Sequence, residues 1–181
     1  WIELHNTTDS AISIAGWFLS DNQDDLAKYE IDANVVIEAG DFVVFYENVH
    51  FGNPDDPGCR TPYALSENGE RLYLHSGRDG VTTGYSYDED FGASERDVSF
   101  GRYITSIGDD NFVPMVSKTR EEANSLPKVG PVVISEIMYH PQNTGDPNDP
   151  NEEYIELTNI GGEAINLNLV SFTNGIDFTF G

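Results

Sequence analysis

The chain has few basic residues, one cysteine and no long apolar segment, and each shortage excludes a class of protein. Nine Lys and Arg stand against 32 Asp and Glu in 181 residues, which gives a net charge of −23. Such a surface repels nucleic acids and anionic membranes, because those partners gain affinity by exchanging counterions for cationic side chains. No run of about 18 apolar residues is present, so we predict no membrane insertion. The lone Cys59 excludes an intrachain disulfide, and we interpret it as a partly buried structural residue.

The sequence also lacks the motifs of common catalytic centres. None of its four histidines has the H-E-x-x-H spacing of a metalloprotease. The stretch from Gly84 to Asp88 is not a nucleophile elbow, because Asp88 stands where the second glycine is required. No phosphate-binding glycine pattern is present, and acidic side chains are too numerous for any one pair to indicate a glycosidase. We therefore predict that the chain is not an enzyme.

Short alternating segments are present almost everywhere, and they predict β-structure. Runs rich in Val, Ile, Phe and Tyr alternate with clusters of Gly, Pro, Asn and Asp, which favours an antiparallel sandwich or barrel; we predict the sandwich. The Asn68-Gly69 dipeptide predicts a type I′ turn. Residues 118–125 are the one segment predicted to form a helical turn, which Pro127 ends. The predicted strands are 2–6, 11–19, 41–47, 71–76, 84–90, 111–117, 132–139, 154–159 and 164–172.

The strongest pattern is an internal repeat with a constant offset of 153 positions. Residues 1–21 (WIELHNTTDSAISIAGWFLSD) return as residues 154–174 (YIELTNIGGEAINLNLVSFTN). Self-similarity of this kind is typical of chains built from repeated units. The first strand of each copy has one apolar face that we expect to lie on a core, and Glu3 and Glu156 recur on the opposite face. We predict that these carboxylates accept hydrogen bonds from a neighbouring loop; contact with calcium or with a partner is the alternative.

The residues of the repeat resemble the lamin-tail domain family. The segment VVISEIMYHP (132–141), followed by EEYIELTNIGGEAINL (153–167), is similar to the opening of that domain. Residues 1–21 carry the family's stretch IEL-N, followed by I-L-GW-LSD. The resemblance covers about 1–47 and 132–181 and is specific there, whereas the middle of the chain resembles the family only in being rich in strands.

This resemblance implies the fold and a host protein. It implies an all-β, immunoglobulin-like antiparallel β-sandwich with a partial second copy, in tandem within a bacterial multi-module surface protein. The first copy keeps the family's Gly16 and Trp17, whereas the second has Leu169 and Val170 there. That departure leaves the turn geometry of the second copy open, although not its strands. The implied localisation is extracellular or at the cell surface.

We predict two units from the repeat. Residues 1–130 are expected to form a lamin-tail-like β-sandwich that lacks its first strand, and residues 131–181 to form the N-terminal part of a second lamin-tail-like unit. The missing strand is of the type found at 132–139. An unpaired strand edge exposes backbone donors and acceptors. We therefore expect 132–139 to pair with the first copy of the same or another molecule, which predicts strand-swapped self-association.

An acidic loop at 144–153 (TGDPNDPNEE) is the best candidate for a metal site. It brings together Asp146, Asn148, Asp149 and Glu152, and calcium binds about six to eight oxygen ligands of this kind. The loop is not an EF-hand, because a proline replaces a ligand and the glycine at the sixth place is missing. Calcium is the one cofactor predicted, and a solvated acidic turn is the alternative. Weaker candidates of the same kind are Asn53, Asp55, Asp56, Asp88, Asp90, Glu95 and Asp97.

Three functions of different class fit these features. We predict a non-catalytic interaction or spacer module, repeated in a larger surface or secreted protein, that binds protein partners or a cell-surface polymer. The alternative is a carbohydrate- or calcium-binding β-sandwich module accessory to an enzyme, with carbohydrate bound by exposed aromatics such as Tyr63, Tyr85 and Tyr87. The third function, an enzyme, requires a concave pocket with converging carboxylates or histidines.

Overall fold

The structure, a computed structural model, describes residues 1–93, 95–142, 153–172 and 174–181. These residues contain fourteen strands, and every strand pair is antiparallel. The strands are β1 (Ile2–His5), β2 (Ile12–Ser13), β3 (Phe18–Ser20), β4 (Tyr29–Glu30), β5 (Val36–Ile37), β6 (Phe42–Phe45), β7 (Glu70–Arg78), β8 (Val81–Phe91), β9 (Phe100–Ile104), β10 (Asp110–Pro114), β11 (Val132–Met138), β12 (Tyr154–Asn159), β13 (Ser171–Phe172) and β14 (Phe178–Thr179). The predicted all-β antiparallel class is confirmed.

No helix occurs in the described part of the chain, so none there is long and apolar enough to cross a membrane. The helical turn expected at 118–125 is therefore wrong. That segment instead forms a single tight turn, in which the Glu122 N–H donates to the Thr119 carbonyl at 3.1 Å. Glu121 has a positive φ of 62°, which a helix does not allow. The chain divides into two compact units, Trp1–Lys128 and Val129–Gly181.

The first unit has a closed apolar core. Strand β1 pairs with β6, and a four-stranded sheet has the order β4-β3-β7-β8. Aliphatic and aromatic side chains from both sheets meet between them, because alternation along each strand turns every second side chain inward. The fully buried members of this core cluster are Ile14, Leu19, Tyr29, Ile31, Ile37, Phe45, Phe51 and Tyr63.

Two turns in the first unit depend on positive φ angles. Gly16, at φ 72°, breaks the run 11–19 into β2 and β3, and the Trp17 N–H donates across this turn to the Ile14 carbonyl at 3.0 Å. Strands β7 and β8 are joined by Asp79-Gly80, both at positive φ, as a type I′ turn requires.

The second unit repeats the turn of the first copy. Leu169, which aligns with Gly16, has φ 65°, and the Val170 N–H donates to the Leu167 carbonyl at 2.9 Å. Strands β13 and β14 pair as β3 and β4 do. Leucine therefore occupies the conformation that glycine holds in the first copy, which keeps the turn intact at a cost in backbone strain. Among the described residues, every fully buried apolar side chain lies in the first unit.

Candidate interaction site

Strand β1 has one paired edge and one open edge. The Asn6 N–H donates to the Asp41 carbonyl at 2.9 Å, and the Asn6 carbonyl accepts from the Gly40 N–H at 3.0 Å. Backbone groups of alternate residues face the same side of a strand. The N–H and C=O groups of Glu3 and His5 therefore point away from β6. Among the described residues β1 pairs with β6 alone, so this second edge has no strand beside it.

Strand β12, the counterpart of β1, has the opposite edge paired. The Ile160 N–H donates to the Pro131 carbonyl at 2.7 Å, so alternation turns the backbone groups of Glu156 and Thr158 toward β11. The offset of 153 maps Glu3 onto Glu156 and His5 onto Thr158. Strand β11 therefore lies along the same edge of β12 that is vacant on β1. The edge that β6 covers on β1 has no strand beside it on β12, within the described residues.

The outer face of β1 is covered, in contrast to its edge. The Glu3 Oε2 accepts a hydrogen bond from the Glu121 N–H at 2.6 Å, and Arg120 donates to the Tyr46 hydroxyl at 3.0 Å. Burial raises the pKa of the Glu3 carboxyl, and the Glu121 N–H partly offsets that rise. In the second unit, Glu156 accepts from the Ser135 hydroxyl at 2.5 Å. The predicted hydrogen bond from a neighbouring loop is therefore confirmed for Glu3, whereas the partner of Glu156 lies in strand β11 and not in a loop.

The second unit contains an apolar groove of about 320 Å³. In the first unit the positions equivalent to Leu157, Ile165 and Leu167 are Leu4, Ile12 and Ile14, which pack in or against the closed core. The groove is thus lined by the counterparts of residues that are buried in or packed against the core of the first copy. Its apolar lining includes Val132, Leu157, Ile165, Leu167, Phe172 and Phe180.

The predicted calcium ligands Asp146, Asn148, Asp149 and Glu152 lie outside the described residues. The weaker acidic candidates form ion pairs or hydrogen bonds within the protein. Asp88 and Asp90 pair with Arg71, while Asp97 pairs with Lys118 and Glu95 with Lys128. Asn53 and Asp56 accept backbone N–H groups within their own turn. In the described part of the chain, no group of three or more His, Cys, Asp or Glu is placed to hold a metal ion.

The three tyrosines expected to form an exposed carbohydrate platform are not equivalent. Tyr63 is 7% exposed and stacks on Phe51, so its expected exposure is wrong; its ring completes the core. Tyr87 donates to Glu89, and burial followed by this hydrogen bond raises its pKa to about 12. Tyr85 is 50% exposed, and its ring centroid lies 5.2 Å from that of Trp17. Tyr85 is the one of the three that is well exposed.

The remaining candidate side chains have structural contacts. Cys59 is partly buried, as expected; its thiol faces the Phe51 carbonyl at 3.4 Å, and burial raises its pKa. A thiol held protonated in this way is a poor nucleophile. The His50 Nδ1 accepts from the Tyr46 N–H at 2.8 Å, and His5 stacks on an aromatic ring. Neither histidine forms part of a catalytic cluster.

Charge is distributed unevenly along the chain. All nine Lys and Arg residues precede Val129, so the second unit contributes eight carboxylates and no basic side chain. In the first unit Lys28 bonds Asp21 at 2.7 Å, and five further basic residues also form ion pairs. The second unit is thus uniformly anionic, and any partner that meets it must be basic, uncharged or screened by salt.

Antiparallel sheets around one core form an immunoglobulin-like β-sandwich, a class that suggests a non-catalytic module. Residues 1–89 match the family model described as Lamin Tail Domain. The match extends from β1 into β8 and so reaches beyond residue 47, where the resemblance read from the sequence stopped. No curated protein and no solved structure matches the chain.

Proposed function

We propose that the chain is a non-catalytic interaction or spacer module, repeated within a larger secreted or cell-surface protein. The observation that carries the proposal is the match of residues 1–89 to the family model described as Lamin Tail Domain, because the immunoglobulin-like class suggests a non-catalytic module. The return of residues 1–21 as residues 154–174 supports the repeated arrangement.

Exposure on intact cells tests the extracellular part of the proposal. An antibody raised against the chain is expected to label unpermeabilised producing cells, and external protease is expected to remove the label. A cytoplasmic marker on the same cells must stay intact as the control. Labelling that appears only after permeabilisation would contradict the proposed localisation.

Carbohydrate binding is the second candidate, and Tyr85 beside Trp17 is the observation that favours it. Exposed aromatic rings stack on sugars through their apolar faces. Affinity electrophoresis in gels that contain soluble polysaccharides should show retardation that Tyr85→Ala abolishes. Tyr139→Ala is the matched control, because Tyr139 is 80% exposed and its ring lies beside His140 and not beside a second large aromatic ring of its own unit. Equal mobility of both variants and the parent in every gel would remove this candidate.

Calcium binding by Asp146, Asn148, Asp149 and Glu152 is retained as a proposal. A ligand that binds only the folded state raises the melting temperature, by an amount equivalent to about 2.7 kcal/mol at a hundredfold excess over Kd. We expect a rise in millimolar calcium that magnesium does not reproduce and that Asp149→Asn reduces. An unchanged melting temperature in calcium would end the proposal.

A further inference from the structure

We propose that the side chains of Lys28 and Asp21 join in an intramolecular amide bond, with Glu70 as the proton relay. These residues belong to a polar cluster that also includes Tyr63, a member of the apolar core of the first unit. The Lys28 Nζ lies 2.7 Å from the Asp21 Oδ1, and the two side chains are only 14% and 16% exposed. Such a bond is a self-modification, and it is independent of the interaction-module function proposed above.

Lys28 and Asp21 touch without forming a regular hydrogen bond. The Asp21 Oδ1 is buried and has no hydrogen-bond partner in the described part of the chain, although the Lys28 Nζ is within hydrogen-bond distance. The two groups therefore meet outside the directions in which a donor and a carboxylate oxygen align. A nucleophile held about 3–3.5 Å from its target can have an effective concentration of about 10⁵–10⁸ M. At such a concentration an amide can form that separate molecules do not form in water.

Tyr63 gives the cluster an apolar wall and an unused donor. Its side chain is 7% exposed, and its ring centroid lies 5.6 Å from the Lys28 Nζ. Burial first, and then the Asp21 and Glu70 carboxyl groups, raises the pKa of the Tyr63 hydroxyl, which therefore keeps its proton. This hydroxyl is buried and has no hydrogen-bond partner within the described residues, which is unfavourable for a donor. Condensation removes two charges from beside the ring and leaves a neutral amide oxygen as an acceptor.

Glu70 has the contacts that a proton relay needs. It is the first residue of β7, and its Oε1 accepts a hydrogen bond from the Ser66 N–H at 2.6 Å. Burial raises the pKa of the Glu70 carboxyl, and the Ser66 N–H partly offsets that rise. The same carboxyl interacts electrostatically with both Asp21 and Lys28. A carboxyl group whose pKa lies closer to the working pH takes up and returns a proton more effectively.

The reaction is a condensation that needs no further reagent. The Lys28 ammonium passes one proton to the Asp21 carboxylate, and the neutral amine attacks the carboxyl carbon. A C–N bond forms and a C–O bond breaks, while Glu70 takes a proton from the nitrogen and returns it to the leaving hydroxyl. One ammonium and one carboxylate thus become one amide and one water, so the net charge stays at −23. Asp21 follows β3 and Lys28 precedes β4, so the bond closes the loop between these strands.

Mass spectrometry of the intact, folded chain tests the bond. We expect a mass that is one water below the mass of the sequence. Trypsin needs a free lysine side chain, so it should cut the denatured chain after Arg60 but not after Lys28. Residues 1–60 should then remain in one peptide that is also one water lighter. A folded chain with the full sequence mass would overturn the proposal. Loss of water with normal cleavage after Lys28 would also overturn it, because Asp21 would then have cyclised onto its own backbone.

Three variants test the roles of the residues. Lys28→Arg keeps the positive charge but removes the amine, so this variant should have the full sequence mass. For the relay, the cross-linked fraction is followed over time in chains made by cell-free synthesis. Glu70→Gln should slow the reaction by about tenfold or more. Glu67→Gln is the matched control and should react at the parent's rate, since Glu67 is exposed in the turn just before β7. A cooperative urea transition shows that each variant folds, and equal rates in the two Gln variants would overturn the relay.

Discussion

Asn6 is the residue whose replacement tests the account of the first unit most sharply. It is 3% exposed, and its amide group joins three parts of the chain. The Nδ2 donates to the carbonyls of Ser10, Ile37 and Glu38 at 2.8, 2.9 and 3.0 Å. The Oδ1 accepts from the Thr8 N–H at 3.0 Å and from the Thr8 hydroxyl at 2.8 Å. Asn6→Ala removes all of these contacts and leaves buried carbonyls without donors.

The expected magnitude follows from the number of bonds. An amide nitrogen has two hydrogens, so its three contacts amount to two full bonds, and the contact with the Thr8 N–H adds a third. Each buried bond contributes about 1 kcal/mol net, and orphaned buried groups cost more. We therefore expect Asn6→Ala to lower the free energy of unfolding by about 3–4 kcal/mol, a large part of the 5–15 kcal/mol of a typical domain. Asn6→Asp should cost more, because it sets a carboxylate against three carbonyl oxygens.

Urea unfolding followed by tryptophan fluorescence measures this loss. Both tryptophans, Trp1 and Trp17, lie in the first unit, so the signal reports that unit alone. With a slope of about 2 kcal/mol/M, the midpoint should fall by about 1.5–2 M. Asn34→Ala is the control, since Asn34 is exposed and its side-chain amide donates to the exposed Asp32; a change within about 0.5 kcal/mol is expected. If Asn6→Ala cost no more than the control, the amide would not be what holds β1 to the following loop.

Further predictions concern two backbone positions and one carboxyl group. In Gly77→Ala the new Cβ would lie 2.0 Å from the Gly16 carbonyl oxygen. We expect the free energy of unfolding, measured in urea, to fall by about 3 kcal/mol or more. Gly84→Ala is the control and should change it little, because no atom lies within 4 Å of the Cβ position there. Leu169→Gly should relieve the positive φ and slow amide exchange in the second unit by the equivalent of about 0.5–1 kcal/mol, while Leu169→Ala should not. Burial raises the pKa of Glu70, so the folded state holds its proton at a higher pH than the unfolded chain does. The free energy of unfolding should thus fall as the pH rises from the ordinary glutamate range through the raised pKa, and Glu70→Gln should flatten that fall; an unchanged pH slope would contradict the assignment.

Strands were predicted well where apolar and polar residues alternate strictly and the two paired strands are long. Strands β1, β6 and β12 lie where the pattern put them, because each presents one apolar face to a core or groove. Strands β4 and β5 are only two residues long and escaped prediction, since their ladders form only once distant segments meet. The segment 118–125 has a helical composition, yet it forms a tight turn beside Glu3, because contacts with β1 and Tyr46 outweigh its weak local propensity.

The type I′ hairpin turn was predicted at the wrong dipeptide. Asn68-Gly69 suggested a type I′ hairpin, but only Gly69 has a positive φ, and the turn leads into β7 without joining two strands. The type I′ turn is at Asp79-Gly80, which carries an equally strong signal between two alternating runs. An isolated dipeptide therefore does not decide a hairpin, because the strands on both sides must also pair.

We expected 132–139 to pair with the first copy of the motif, whereas β11 pairs with β12 in the second unit. The repeat shows only that 132–139 precedes the second copy. It did not show which backbone groups face the edge, since that depends on the bond between Ile160 and Pro131. The inward position of Tyr63 was equally hidden, because Tyr63 lies outside any strand and is buried by residues distant in sequence, among them Phe51 and Lys28.

The two copies of the motif separate what local sequence determines from what distant partners determine. Asn6 and Asn159 make the same local contact, from the amide nitrogen to the carbonyl four residues later, at 2.8 Å in both copies. Only Asn6 also reaches the carbonyls of Ile37 and Glu38, and only Asn6 is buried. The sequence of the motif therefore determines the turn, whereas burial of its asparagine requires the segment that leads into β6.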